Sequence, residues 1–305
     1  MYHFLIALGL IMTSTFAAPT GGPSGCGKQP PSGVSPGGAS SNRTLTSGDQ
    51  KRSYLIHLPQ NYDSNKPTPL ILSFHGRTQT AKQQEDGSQF SNPSFNPDGI
   101  AVYPQGVDKQ WQGDPDAPKS IDDFKFVSDL LDRLNSEYCI DPKRIYATGM
   151  SNGGGFTGLL ACDPTVSAKI AAFSTVSGAF YLGVLGAPSN ALPDCKPART
   201  PIPLLHFHGY VDTQIKYLGG GNGSNRGNTT SIPDYLDRWA KIDGIQPDQN
   251  PEDLCDGKVK RHSWGNGILQ HYNETLLNHE WPTKSNKVCY DGAQVIMEFF
   301  GKHTL

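Results

Sequence analysis

The stretch of sequence that decides the fold is RIYATGMSNGGGFTGLLAC, residues 144–162. It begins as a strand-like run and ends as a helix-like run at residues 156–162. Between them lies GMSNG, residues 149–153, which matches the pattern Gly-x-Ser-x-Gly. Between a strand and a helix this pattern forms a sharp turn that exposes the serine, and the turn demands small neighbours because it leaves little room. The stretch therefore predicts Ser151 as a nucleophile, against the alternative of an ordinary glycine-rich turn.

Strand-like and helix-like segments alternate along the rest of the chain. Short β-type runs, several of them continuously apolar as buried parallel strands are, lie at residues 53–58, 69–75, 99–103, 144–148, 170–177 and 202–208. Apolar residues repeat at helical spacing within residues 124–134, 231–242 and 293–300. This alternation predicts an α/β fold with a mostly parallel central sheet and helices on both faces.

A serine hydroxyl is a weak nucleophile, so the fold must bring it a base and an acid that orients the base. When the serine stands in such a turn, the chain order is serine, acid, histidine. Asp212 follows the strand-like run 202–208 and falls in a loop past its carboxyl end, where open α/β sheets build their sites. We therefore expect Asp212 to be the acid. The less well placed alternatives, in or near a helical segment, are Asp234, Asp237 and Asp243.

The candidate base is His279, in the segment NHEWP, residues 278–282. This loop lies just upstream of the final helical segment, which is where the predicted architecture delivers its histidine. His271 lies in a β-like run and His303 in the terminal tail, so both are poorer candidates, and His262 is the remaining alternative.

The tetrahedral intermediate of acyl transfer needs backbone donors for its oxyanion. One donor should be the N–H of Asn152, the residue after the nucleophile. The second should come from the loop after an early strand, and SFHGRT, residues 73–78, matches such a loop. We expect the N–H of Arg77 there, with Thr78 as the fallback and a plain strand-end turn as the alternative.

Two tryptophans are candidates for the wall of a substrate cleft. Trp111 follows the strand-loop VYPQG, and Trp281 lies two residues past the candidate base. Each is equally well explained by ordinary packing. Thr78 is a further candidate for substrate contact.

The alternation of His206 and His208 on one strand raises the question of a metal site. Zinc needs three or four ligands, and no third ligand stands at metal spacing from these two. The sequence therefore predicts no metal and no cofactor.

The chain of 305 residues begins with an apolar stretch of signal-peptide length, residues 1–17, which predicts secretion. Residues 18–41 are almost entirely Gly, Pro, Ser and Ala, which predicts an N-terminal arm that cannot fold alone. Residues 42–305 suit one large catalytic domain. A net charge of −2 argues against nucleic acid as a partner, and no later segment is apolar enough to anchor the chain in a membrane.

Cysteines and glycosylation sequons agree with a secretory route. The six cysteines predict three disulfides in an oxidising compartment, and of the fifteen possible pairings we favour only the one that joins Cys255 to Cys289. The cysteines are Cys26, Cys139, Cys162, Cys195, Cys255 and Cys289. The sequons, which predict N-glycosylation in surface loops, are Asn42, Asn222, Asn228 and Asn273.

Taken together, these motifs resemble the fungal feruloyl esterases of carbohydrate esterase family 1 and, more distantly, polyhydroxybutyrate-depolymerase-type esterases. The resemblance covers most of the chain after the leader and rests on SGCGKQP, LPQNYD, SFHGRTQTA, VYPQG, IDDFKFVSDLLDRLNSEYCIDPKRIYATGMSNGGGF, HGYVDTQIKY and HEWP. It implies an α/β-hydrolase fold, a triad of Ser151, Asp212 and His279, and an oxyanion hole formed by the amides of Arg77 and Asn152.

Two residues depart from the family pattern. Arg77 stands where related chains often have cysteine or another small residue, so its side chain should either cover the pocket or meet an acidic group. Asn278 stands where they often have glycine. We expect the catalytic machinery to tolerate both, and substrate choice to be what they affect.

The resemblance implies hydrolysis, through an acyl-enzyme, of hydroxycinnamate esters such as ferulate on arabinose-bearing plant cell-wall polysaccharide. Acetylxylan esterase and polyester depolymerase are alternatives with the same machinery. An alternative from another class is a catalytically inactive polysaccharide-binding protein that retains the fold.

Overall fold

The structure is a computed structural model that describes residues 25–221, 226–248 and 250–305. The predicted signal peptide, the first residues of the predicted arm and Asn222 lie outside the described residues. In the described part, the strands are β1 (Ser41–Ser47), β2 (Gln50–His57), β3 (Thr68–Phe74), β4 (Ile100–Pro104), β5 (Ile140–Met150), β6 (Ala172–Val176), β7 (Leu204–Gly209), β8 (Gly220–Gly221), β9 (Asn228–Thr229), β10 (Glu252–Leu254), β11 (Val259–Trp264) and β12 (Leu269–Glu274). The helices are α1 (Ala81–Ser88), α2 (Asp123–Glu137), α3 (Asn152–Cys162), α4 (Pro164–Ser167), α5 (Ile232–Asp243) and α6 (Gly292–Phe300).

Ten of these strands form one sheet, in the order β1-β2-β4-β3-β5-β6-β7-β12-β11-β10. The strands from β4 to β12 in that order pair in parallel. The outer strands at both edges pair antiparallel. The predicted fold class, a mostly parallel sheet of α/β-hydrolase type, is confirmed.

Strands β3, β4, β6 and β7 in the centre of the sheet are buried almost throughout, which explains why apolar residues predominate in them. In β3, Leu70 and Leu72 pack on the side of α2, α3 and α5, whereas Ile71 packs on the side of α1 and α6. All three leucine and isoleucine side chains are fully buried. Truncating any one of them to alanine should cost about 2–5 kcal/mol of stability.

The glycine-rich arm is attached to the rest of the chain, although its composition gives it no core of its own. Cys26 is bonded to Cys139, which directly precedes β5. Further along the arm, Val34 is buried, and the N–H of Gly37 donates to the carbonyl of Leu58. The boundary between this arm and a catalytic domain at residue 42 stays a prediction.

The remaining cysteines also pair. Cys162 is bonded to Cys195, and Cys255 is bonded to Cys289, the pair favoured from the sequence. Among the described helices, none is both long and apolar enough to cross a lipid bilayer.

Candidate active site

Ser151 lies in the turn between the end of β5 and the start of α3. Its backbone has φ 56° and ψ −120°, a sparsely populated conformation for a residue with a side chain. Two backbone hydrogen bonds to the segment that ends β6 hold it there: the Ser151 N–H donates to Val176 O over 2.9 Å, and the Ala179 N–H donates to Ser151 O over 3.0 Å. The serine is thus fixed at the carboxyl edge of the sheet.

The glycines on either side of this turn are required by close approach. A Cβ atom on Gly149 would lie 2.4 Å from Gly153 O, and one on Gly153 would lie 2.3 Å from Phe74 O. Backbone atoms cannot move aside as a flexible side chain can. The Gly-x-Ser-x-Gly spacing is therefore a steric requirement of the strand-to-helix turn.

The structure brings Ser151, His279 and Asp212 into one hydrogen-bonded chain. His279 Nε2 lies 2.8 Å from Ser151 Oγ, and His279 Nδ1 lies 2.7 Å from Asp212 Oδ2. The serine is 128 residues from the histidine in sequence, so only the fold places them together. A neutral imidazole in this arrangement donates from Nδ1 to the carboxylate and offers Nε2 as the acceptor for the serine proton.

Asp212 is held in one orientation by the loop that follows β7. Its side chain is fully buried, and its Oδ1 accepts hydrogen bonds from the backbone N–H groups of Gln214 and Ile215, each over 2.8 Å. These two bonds leave Oδ2 directed at His279. The rotation of the Asp212 carboxylate is therefore already fixed by its own loop.

His208, considered above only as a metal ligand, lies on the other side of this carboxylate. Its Nε2 donates to Ile215 O over 2.8 Å and lies 3.4 Å from Asp212 Oδ2. Burial lowers the pKa of His208 to about 4, so the ring is neutral and brings no second cation to Asp212. The neighbouring His206 bonds the hydroxyl of Thr175, and its burial lowers its pKa well below 6.5.

Within the described ranges, no group of three or more histidine, cysteine, aspartate or glutamate side chains is arranged to hold a metal ion. The expected absence of a metal stays a prediction.

The peptide that joins Gly76 to Arg77 is locked by His75. His75 Nε2 accepts from the Gly106 N–H and from Gln105 Nε2, each over 3.0 Å, so the ring proton is on Nδ1. Nδ1–H then donates to Gly76 O over 2.8 Å. Because the peptide is trans, its N–H, which belongs to Arg77, points the opposite way. Burial lowers the pKa of His75 to about 4, which keeps this neutral tautomer.

Two of the three predicted oxyanion donors have free N–H groups. Among the described residues, the Arg77 N–H makes no hydrogen bond, and the Asn152 N–H begins α3, where helix amides lack intrahelical partners. The fallback was wrong: the Thr78 N–H donates to Lys109 O over 2.8 Å and is already used. The loop that carries Arg77 adjoins Ser151, since a Cβ on Gly76 would lie 3.4 Å from Ser151 Cβ.

The Arg77 side chain meets an acidic group, which was one of the two expectations for it. Its guanidinium lies 3.1 Å from Asp116, and both side chains are partly exposed. The neighbouring Thr78 is exposed, with its hydroxyl bonded to Arg77 O over 2.6 Å. A role for Thr78 in substrate contact stays a prediction.

The prediction that two tryptophans wall a cleft is not supported by their burial. Trp111 has no exposed surface: its ring stacks on Phe156 with centroids 5.3 Å apart, and its Nε1 donates to His75 O. Trp281 is 7% exposed and packs edge-on against Phe90. Both are core residues, because large aromatic rings are stabilised most by burial. Trp111 nonetheless shapes the site, since its backbone N–H and carbonyl bind the Asn152 side chain.

Fold and contacts together define a class: a protein of α/β-hydrolase fold in which a serine, an aspartate and a histidine, in the chain order Ser151, Asp212, His279, form one hydrogen-bonded series.

Comparison with known proteins agrees with this class. No family model matches the chain. It is 28% identical over 232 residues to feruloyl esterase B of Piromyces equi, covering 73% of this chain and 39% of that protein. It is 32% identical over 166 residues to a bifunctional acetylxylan esterase/xylanase of Neocallimastix patriciarum, covering 54% of this chain and 22% of that protein. It is 29% identical over 281 residues to feruloyl esterase D of Neurospora crassa, covering 88% of this chain and 81% of that protein. The chain thus spans well under half the length of the first two relatives.

Among solved structures, an acetyl xylan esterase from Aspergillus awamori matches with a TM-score of 0.60 and 18% identity, covering 86% of this chain and 99% of that one. At this identity the match shows the fold alone. The resemblance to fungal feruloyl esterases is confirmed by the curated relatives.

Proposed function

We propose that this protein is a secreted serine esterase that releases hydroxycinnamic acids such as ferulate from plant cell-wall polysaccharide. The observation that carries the proposal is the hydrogen-bonded chain from Ser151 Oγ through His279 to Asp212. The substrate class comes from the relatives, two of which are named feruloyl esterases.

In the first half-reaction, Ser151 Oγ attacks the ester carbonyl while His279 Nε2, 2.8 Å away, takes the hydroxyl proton. Asp212 stabilises the imidazolium that results. The N–H groups of Arg77 and Asn152 hold the oxyanion of the tetrahedral intermediate. The ester bond breaks, His279 gives its proton to the departing sugar hydroxyl, and the acyl group stays on Ser151.

In the second half-reaction, water takes the place of the sugar hydroxyl. His279 removes one proton from the water, the hydroxide adds to the acyl carbonyl, and the same donors hold the new oxyanion. When the intermediate collapses, Ser151 leaves with the proton from His279 and the free acid departs. Every proton is returned, so the sequence of steps balances without a cofactor.

Room for a bulky substrate lies beside two segments that continue from residues in contact with Asn152 and Ser151. An open groove of about 570 Å³ is lined in part by the segments 112–119 and 182–186. The first segment directly follows Trp111, whose backbone binds the side chain of Asn152, and the second follows Ala179, whose N–H binds Ser151 O. We propose that this groove receives the polysaccharide.

The extracellular location is supported by the cysteines. All six are disulfide-bonded in the structure, and disulfides persist in oxidising compartments. Two of the sequon residues, Asn42 and Asn228, are exposed and can accept a glycan, whereas Asn273 is partly buried within β12.

A second candidate is an acetylxylan esterase. The relative from Neocallimastix patriciarum carries that name, and the match in sequence to it reaches 32% identity. The same Ser151, His279 and Asp212 would serve either ester, so the acyl pocket alone distinguishes the two activities.

The test is a panel of esters: methyl ferulate, feruloylated arabinoxylan and acetylated xylan, each with wild type and Ser151→Ala. The matched control is Ser94→Ala, because Ser94 is exposed. We expect ferulate release from both feruloyl substrates, a fall of about 10⁶-fold in Ser151→Ala, and no change in the control. Acetate release without ferulate release would favour the second candidate, and an active Ser151→Ala variant would overturn the site.

A further inference from the structure

One side chain outside the serine, histidine and aspartate chain joins the two loops that supply the acid and the base. Asn278, which directly precedes His279, accepts two hydrogen bonds at Oδ1. Both come from Thr213, which directly follows Asp212: its backbone N–H over 2.9 Å and its hydroxyl over 3.2 Å. We call this contact the loop clamp.

The clamp lies where the two loops already pack backbone against backbone. Strands β7 and β12 are parallel neighbours that end at Gly209 and Glu274, opposite each other in register. A Cβ atom on Gly209 would lie 2.1 Å from Leu277 O and 2.7 Å from Asn278 O. Only glycine fits there, because the two backbones touch at the strand ends. The loop clamp continues this contact from the strand ends to the neighbours of Asp212 and His279.

The base itself has few other restraints. Within the described ranges, the backbone N–H of His279 makes no hydrogen bond, and the imidazole is held through its contacts with Asp212 and Ser151. The carboxylate, in contrast, is fixed by two backbone donors. The placement of the imidazole relative to that carboxylate therefore depends on how firmly the base loop is tied to the acid loop.

We propose that Asn278 is a positioning residue that holds His279 in line with Asp212 and Ser151, an inference that rests on the proposed function of that triad. Asn278 touches no reacting atom. It acts by limiting the separation of the two loops while the imidazole gains and returns a proton. Small misplacements of a catalytic group cost large factors in rate, so a side chain that prevents them contributes to kcat and leaves substrate binding alone.

The proposal also gives a reason for an asparagine at this position in place of a glycine. Glycine has no side chain to reach Thr213. It also frees the backbone just before the base, because glycine samples more conformations than any other residue.

The experiment measures the burst of p-nitrophenol from p-nitrophenyl acetate, which reports acylation of Ser151 without reference to ferulate. The variants are Asn278→Ala, which removes the acceptor, and Asn278→Asp, which keeps an oxygen for both Thr213 donors. Asn61→Ala is the matched control, because Asn61 is exposed and its amide nitrogen donates to Asp98 at the surface. Ser151→Ala reports on the nucleophile, and thermal unfolding reports on folding.

We expect Asn278→Ala to lower the acylation rate about tenfold, the scale of one lost hydrogen bond between positioned groups. KM should stay within about twofold, since ground-state binding is untouched. Asn278→Asp should recover most of the rate, and Asn61→Ala should match wild type.

An unchanged rate in Asn278→Ala, or an equal loss in Asn278→Asp, would overturn the positioning role while leaving the triad in place. A loss of rate accompanied by a matching rise in KM would also overturn it. A burst that survives in Ser151→Ala would overturn the triad and the clamp together.

Discussion

Asp212 Oδ2 lies 2.7 Å from His279 Nδ1, although 67 residues of sequence separate the two. The contact forms because β7 and β12 are adjacent parallel strands, so the loops after them meet at one edge of the sheet. It fixes which nitrogen of the imidazole carries the proton, and so which nitrogen can accept one from serine. This contact links the orientation of the His279 imidazole to that of the Asp212 carboxylate.

Replacing Asp212 with asparagine keeps the size and shape of the side chain, but it should remove most of the activity. In Asp212→Asn, the amide no longer fixes the required tautomer, and we expect kcat to fall about 10⁴-fold. Steady-state kinetics with methyl ferulate measures the loss. The control Asp86→Asn changes an exposed carboxylate on α1 and should leave kcat unchanged. A kcat within about tenfold of wild type would show that another group orients His279.

The hydrogen bond from His75 that fixes the Gly76–Arg77 peptide should strengthen binding of the transition state. In His75→Ala the Gly76 carbonyl loses its donor and the peptide is free to turn, so we expect kcat to fall about 10²-fold, as when one oxyanion donor is lost. Affinity for a boronic acid inhibitor should fall in parallel, while KM changes little. The control His262→Gln alters a partly exposed histidine on β11. Unchanged inhibitor affinity in His75→Ala would mean that Arg77 is not a donor.

Two glycine-to-alanine substitutions, one beside Ser151 and one in α1, should have opposite effects on stability. Gly153→Ala would place a Cβ 2.3 Å from Phe74 O, so we expect little folded, active protein. Gly87→Ala, inside α1, adds a Cβ with nothing within 4 Å and should stabilise the protein by about 0.5–1 kcal/mol. Urea unfolding monitored by circular dichroism compares the two. Equal stability of both variants would contradict the steric account of the turn.

A buried carboxyl behind the base loop should make stability depend on pH. Burial raises the pKa of Glu274 to about 8, and its Oε1 accepts from the Tyr290 hydroxyl over 2.6 Å. In the unfolded chain the same group loses its proton near pH 4.5. Between these values the unfolded state binds fewer protons than the folded state. The contribution of Glu274 to the free energy of unfolding is therefore complete below pH 4.5 and is lost as pH rises through 8.

Glu274→Gln removes that titration and keeps the shape of the side chain. The free energy of unfolding of the variant, relative to wild type, should therefore rise steadily as pH increases from about 5 to about 8. Urea melts at several pH values measure this difference and cancel the other titrating groups. A difference that stays constant with pH would show that Glu274 titrates as an ordinary exposed carboxyl.

The sequence predicted those parts of the molecule that depend on local pattern. A buried strand such as β4 is continuously apolar, and the Gly-x-Ser-x-Gly turn has steric requirements that leave a signature within five residues. The chain order of serine, acid and histidine then limited the candidates for Asp212 and His279. Strands β10 and β11 were not predicted, because KRHS in the middle of β11 is polar and only partly buried, and β10 is a short strand at the edge of the sheet.

The roles of the surrounding residues could not be predicted, because they depend on contacts that sequence spacing does not encode. Trp111 was a candidate for a cleft wall or for ordinary packing, and only the fold shows that its ring lies in the core while its backbone binds Asn152. His208 was considered as a metal ligand, and only the fold shows it beside Asp212. The adjacency of His75 to Gly76 was visible in the sequence, but the tautomer that locks the peptide depends on Gly106, which arrives from another strand end.

The measurement that tests the central claim most directly is covalent labelling of the nucleophile with a fluorophosphonate, followed by peptide mass spectrometry. The account predicts one adduct per chain, on Ser151, with activity lost in proportion to labelling, and much slower labelling in His279→Ala. An adduct on another residue, or full activity in a fully labelled protein, would contradict the claim that Ser151 is the nucleophile.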